Sequence, residues 1–287
     1  MTEGTHFDPL SLRNVLVNFF GGSGAFQGYG VAVMRSTYDW PLSAKLINEY
    51  AIDEARSKYG QTVELKRKMS AKWQEAVRQI DSVGTTPLKH LAKQVVADWG
   101  GIHGNDERTL DRYCIESIEQ DDDAPFAGIA SRSKILAIAD PAKFAIMDAR
   151  VVIAITVIQL ICEPVDGLLF PYLQSRNRAL GRPRGFLGEK RYQRADIHKH
   201  HPTWCRVSRK EAYTRYLELL RSVLILLDSR YELHDLEMTL FSQAVRLVKL
   251  LESGSVASSS TCLARHPRHA GTFPAHHRMR TCDRGLK

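Results

Sequence analysis

Three features of the 287-residue sequence predict an all-α protein. Apolar residues recur at spacings of three and four along most of the chain, the pattern of helices with one buried face. Strictly alternating runs, which would mark strands, are few. The most apolar run, Val151 to Ile161, is about 11 residues long, whereas a membrane span needs about 20, so a buried core helix is expected there. The expected organisation is one helical domain over 1–252, with a basic irregular insertion at about 163–207 and a disordered basic tail at 253–287.

Composition fits that class. Hydrophobic residues make up 44% of the chain, enough for a sizeable core. The net charge is +8 and the pI about 9.3, which favours an anionic partner, nucleic acid first. The tail from Ser253 carries +5 of that charge, six Lys/Arg less Asp283, so the global charge says less about the folded part than it first suggests. The five cysteines are scattered, odd in number and form no CxxC pair, the usage of a reducing, cytoplasmic chain without disulfides. Met1 to Pro9 is polar and lacks the basic and apolar regions of a secretion signal. Neither a cofactor nor membrane association is expected.

Taken in order, Leu12, Val15, Leu16 and Phe19 mark a first short helix, ended by Gly21-Gly22. The following GGSGAFQGYG lacks both the GK[ST] of a phosphate loop and the GxGxxG of a dinucleotide fold, so it reads as a flexible loop. Asp39-Trp40-Pro41 resembles a helix start, with Gly60 its stop. Helices are then expected over Val63–Ile80, Leu88–Trp99 and Glu107–Ile118, before a solvated acidic run at Glu119–Asp123. Two long amphipathic helices close the domain. Ser208 caps the first, and Leu233, Leu236, Leu240, Ala244, Leu247 and Leu251 line the second. Within the second, Glu237 beside Met238 and Phe241 is expected to be semi-buried and paired with an arginine such as Arg150.

The chemistry concentrates in Phe126 to Cys162. Ser131-Arg132-Ser133-Lys134 is read as a helix start, Asp140-Pro141 as a break, and Asp148 as the cap of the long apolar helix. A capping carboxylate accepts backbone N–H groups, which keep it ionised. A half-buried lysine near a positive helix end favours the neutral amine, the form that attacks carbon. Such a pair suits N-glycosidic bond cleavage, in which the amine attacks C1′ and the carboxylate stabilises an oxocarbenium-like transition state. The bland alternative is an ordinary N-cap beside an ordinary surface lysine.

The segment from Lys134 through Lys143-Phe144-Ala145-Ile146-Met147-Asp148-Ala149-Arg150-Val151 resembles the core of helix-hairpin-helix DNA glycosylases, most nearly a bacterial group with an 8-oxoguanine DNA glycosylase-like fold. The motif-bearing match covers about 30 residues, Gly128 to Ile158. The resemblance implies an all-α glycosylase-like domain, Lys134 at the nucleophile position, Asp148 at the catalytic aspartate, and a hairpin turn at Ala130 to Ser133. The chain departs from that pattern in several places. Ala130 and Arg132 replace hairpin glycines, the Lys-to-Asp separation is 14 residues, Arg150 replaces a histidine, and there is no four-cysteine iron–sulfur loop.

DNA contact is expected from Arg132 and Arg150 and from the basic segment Arg176–Lys210, which holds eleven Lys/Arg against two acids. Within it, Arg176, Arg178, Arg182, Arg184, Lys190 and Arg191 would follow phosphates, and Tyr192 or Trp204 would stack on a base. His198, His201 and Cys205 have ligand-like spacing but no fourth ligand, and the tail's Cys262, His266, His269, His276, His277 and Cys282 lack apolar neighbours, so no metal site is expected. The reading is a DNA-binding protein that cleaves the N-glycosidic bond of a damaged or modified base. The alternative is a catalytically inactive DNA- or protein-binding module of the same fold, and a purely structural helical protein is the third.

Overall fold

A computed structural model describes residues 9–119, 126–227 and 229–254. It is 64% helix and 2% strand, so the all-α class holds at that level. The helices are α1 (Leu10–Gly21), α2 (Gly30–Thr37), α3 (Ala44–Glu49), α4 (Lys58–Arg78), α5 (Ile80–Val83), α6 (Thr86–Lys93), α7 (Glu107–Glu119), α8 (Ile129–Ala139), α9 (Ala149–Cys162), α10 (Arg194–His200), α11 (Ala212–Leu224) and α12 (Leu233–Ser253). No described helix is long and apolar enough to cross a membrane. The acidic run beyond Glu119 and the tail beyond Gly254 lie outside the described residues.

Two apolar clusters organise these helices. One is built on α9, whose residues are buried on every side, and on α1, α2, α11 and α12 around it. The other joins α3, α4, α6 and α7. Helix α8 belongs to both, because Ile129 and Leu136 enter the first cluster while Ile135, Ile138 and Ala139 enter the second. A helix clad on all sides needs apolar or internally paired residues all round, which explains why α8 and α9 lack the one-sided stripe seen in the other helices.

Several boundaries differ from expectation for identifiable reasons. Ser43, not Asp39, caps α3, its hydroxyl accepting the Leu46 N–H. Ser57 caps α4, so Gly60 sits inside that helix rather than ending the previous one. The glycine-rich stretch after α1 is ordered: Phe26 is buried and meets Phe19 edge-on, with ring centres 5.2 Å apart. Residues 94–99 continue α6 as a π-helical turn that ends at Gly100. Ser208 accepts the Glu211 N–H at 3.2 Å just ahead of α11, whose N-cap position is Glu211, and Glu232 caps α12 in a reciprocal box with Asp235.

The basic segment is less irregular than its composition suggests. Two short parallel strands, β1 (Leu168–Leu169) and β2 (Cys205–Arg206), bracket it. The Arg194 guanidinium donates to the Leu169 and Val207 carbonyls, both at 2.7 Å, and so ties the bracket together. Leu168, Phe170, Leu180 and Phe186 extend from it into the main cluster. Cys162 and Cys205 each take part in a disulfide, and Cys114 is a buried free thiol whose pKa burial pushes up to about 12. This corrects the expectation of a chain without disulfides. Disulfide pairing depends on where the fold places each sulfur, which scattered spacing does not reveal.

Candidate active site

Lys134 and Asp148 line the same cavity, which has a volume of about 800 Å³. That lies within the roughly 300–1,000 Å³ typical of small-ligand sites. Its walls come from both apolar clusters: Trp99 to Ile102 at the end of the π-helical turn, Ala130 and Lys134 of α8, Ile146 and Asp148 to Val151 at the head of α9, Gln174 to Asn177 of the basic segment, and Glu237, Met238 and Phe241 of α12. Tyr38 and Trp40 complete it.

Helix α8 fixes the lysine. It begins after Gly128, whose φ of +78° and lack of a side chain are both required: a Cβ there would fall 1.8 Å from the Tyr113 hydroxyl. Residues 130–133 are therefore helical, not a hairpin turn, and Lys134 lies in the second turn rather than at the helix mouth. Its Nζ donates to the Ala130 carbonyl at 3.0 Å. The aliphatic stem passes against Gly100, where a Cβ would come within 2.8 Å of Lys134 Cδ. Burial lowers the Lys134 pKa and nearby Lys66 lowers it further, while Asp148 and Glu237 pull it back up. Among the described residues no carboxylate forms an ion pair with Lys134, so the amine is poised toward its neutral form.

Asp148 is the cap that the sequence indicated. Its Oδ1 accepts the Arg150 and Val151 N–H groups at 2.9 and 3.1 Å, leaving Oδ2 clear of the capping bonds. The crossover leading to it is pinned along its length. The Asp140 carboxylate accepts the Ala142 and Lys143 N–H groups, and the Ser133 hydroxyl accepts the Met147 N–H at 3.0 Å. The Tyr213 and Tyr216 hydroxyls donate to the Ala145 and Ile146 carbonyls at 3.0 and 2.8 Å.

Glu237 is the functional candidate that the sequence revealed least. It is 4% exposed, and its carboxylate pairs with the Lys66 ammonium of α4 and accepts the Ile146 N–H. Its partner is thus Lys66, not Arg150. The Arg150 guanidinium instead lies over the rings of Phe241 and Trp40, 4.6 and 5.7 Å from their centres. Glu237 and Phe241, four apart on one helix, share a face, and that spacing was the only local hint that α12 contributes to the site.

The residues expected to touch DNA divide into two groups. Arg176 is exposed at the cavity wall, its guanidinium 3.4 Å from the Gly101 carbonyl. Arg178, Arg184, Lys190 and Arg191 are exposed on the segment that leads away from it. Arg182 is exposed but committed to its own loop through the Leu187 carbonyl and Gln193. Arg132 is 1% exposed and paired with Glu116 at 2.8 Å, so it does not reach a nucleic acid, which corrects that assignment. Tyr192 and Trp204 are likewise unavailable for stacking. Tyr192 packs flat on Phe186 at 4.5 Å, and buried Trp204 stacks on His201 and donates to the Pro164 carbonyl. His198 is turned to the Trp204 carbonyl, and no group of three potential metal ligands exists among the described residues.

No protein-family model, curated protein or solved structure matches the chain. The functional reading therefore rests on the chemistry of the cavity.

Proposed function

We propose that this protein binds DNA, takes an extruded nucleobase into the cavity and cleaves its N-glycosidic bond. The observation that carries the reading is a buried, depressed-pKa Lys134 sharing one cavity with the capping carboxylate of Asp148. The volume and the aromatic walls suit a nucleoside-sized ligand, and an extruded base stacks on such walls. Arg176 at the cavity wall, and Arg178, Arg184 and Lys190 exposed on the same segment, then meet phosphates.

In this chemistry the Lys134 Nζ lone pair forms a bond to C1′ as the C1′–base bond breaks. The base departs with the bonding electrons and is protonated, and the attacking nitrogen gives up a proton. As the sugar ring opens, O4′ leaves C1′ with the bonding pair and takes up a proton from water, and the nitrogen lone pair closes an iminium between C1′ and Lys134. The Asp148 carboxylate stabilises the positive charge that develops on the sugar.

Borohydride trapping tests this directly, with duplexes that carry an abasic site or an oxidised purine. A covalent adduct that disappears in Lys134→Met is the expected outcome. Asp148→Asn, which preserves a capping side chain, is expected to cut base release by a factor on the order of 10²–10³, the scale of one missing transition-state charge interaction. Binding with neither adduct nor base release would sink the enzymatic reading and leave a binding module.

A further inference from the structure

We propose that Lys66 is a positioning residue for the Lys134 amine: by engaging Glu237 on the far wall of the cavity, it withholds that carboxylate from Lys134 and leaves the amine free to react. This deepens the proposed chemistry and rests on Lys134 being its nucleophile.

The geometry is unusual for two lysines facing one acid. Glu237 lines the cavity with Lys134, yet pairs with Lys66, which lies behind the wall. The side chains of Lys66 and Glu237 are 8% and 5% exposed, so water does little to weaken the pair. Two further interactions favour this arrangement. The Lys66 ammonium lies 5.7 Å from the Trp99 ring centre, and the second Glu237 oxygen accepts the Ile146 N–H. Among the described residues, Lys134 is left with only a backbone carbonyl as its hydrogen-bond acceptor.

The other groups around the amine do not replace this arrangement. Asp148 spends Oδ1 on the head of α9, and Arg150 is held between two rings. Arg176 is exposed at the mouth, and buried Tyr38 stays protonated because its pKa is raised by desolvation. His234 of α12, near Lys66 of α4, has its pKa lowered by burial and by Lys66, which favours its neutral form. Without Lys66, Glu237 would be a buried carboxylate lacking its cation, with Lys134 as the remaining ammonium at the same cavity. The lysine would then be protonated and ion-paired, and a protonated amine has no lone pair for attack.

Competitive acetylation of the free full-length protein, read at Lys134 by mass spectrometry across pH, tests this without DNA. At about pH 8, Lys66→Met is expected to lower Lys134 reactivity about tenfold or more, since each unit of pKa changes the neutral fraction tenfold in that regime. Glu237→Gln is expected not to lower it, and Lys66→Met/Glu237→Gln to restore it at least to the wild-type level. A purely packing role for Lys66 would give no such rescue. Wild-type reactivity in folded Lys66→Met, or a loss in Glu237→Gln, overturns the proposal. Should Lys66→Met fail to fold, the double variant decides, and a tenfold loss there also overturns it. A wild-type Lys134 that reacts like an ordinary surface lysine would overturn it as well. Rescue as described, with no DNA adduct or base release, would leave the positioning role standing while the glycosidic chemistry fell.

Discussion

The cavity and the basic segment 176–210 both concentrate charge, and they handle it in opposite ways. In the cavity wall, the Glu237 carboxylate is buried and satisfied by a residue far away in sequence, Lys66, across 171 positions. In the basic segment, most of the cations stay in solvent, and the guanidinium of Arg194 is spent on strand carbonyls. Charge in the first region is therefore a matter of architecture and of protonation state. In the second it is a matter of field, screened by salt and additive from one residue to the next. Density of charge alone does not separate the two regions, whereas burial and pairing do.

Three variants probe that contrast. The largest effect is expected for Glu237→Ala, which strands the buried Lys66 ammonium and the Ile146 N–H. Breaking a buried pair from one side costs about 3–5 kcal/mol, readable as a lowered urea midpoint. A change within about 0.5 kcal/mol, the range of ordinary surface positions, would show that Glu237 behaves like a surface acid and would erase the contrast.

An intermediate effect comes from pH. The folded Lys134 holds its proton less tightly than the unfolded chain, whose lysines titrate near about 10.4. Between the depressed folded value and that point the unfolded state binds more protons, so the Lys134 contribution to stability rises with pH. Denaturation midpoints of wild type relative to Lys134→Met should climb through the alkaline range and level off near the unfolded value. Parallel curves for the two proteins would mean that the lysine titrates normally.

The smallest effect on stability belongs to Arg178→Ala/Arg184→Ala/Lys190→Ala, where each residue is expected to contribute no more than about 0.5 kcal/mol. Its signature lies in binding to duplex DNA: the slope of log affinity against log salt should fall by about 0.9 for each phosphate that the variant no longer neutralises. An unchanged slope would leave the segment without a role in nucleic-acid binding.

The legible parts of this molecule were those written in local chemistry. Asp148 announced itself because a carboxylate before an apolar run is an N-cap wherever the run goes. The helices at Glu107 and at the head of α12, and the long buried α9, followed from periodicity alone. Arg132 shows where that approach ends. On paper it was a cation beside a reactive lysine, and only the approach of α7 turns it toward Glu116. Tyr192 and Trp204 similarly looked like platforms for stacking, because an aromatic among arginines has the same spelling whether it faces solvent or core. Lys66 stood in an ordinary charged helix, and nothing near it in sequence pointed to Glu237. The disulfide-bonded state of Cys162 and Cys205 was hidden for the same reason.

Helix α8 carries one more consequence. Because it is enclosed by both clusters, each of its positions has a fixed direction, and successive residues are rotated by about 100° around the axis. A lysine moved by one residue would leave the cavity and enter packed hydrocarbon. An amine on α8 that faces the cavity can therefore shift only in whole-turn steps of three or four residues. The address of Lys134 is set by the register of the helix as firmly as by its chemistry.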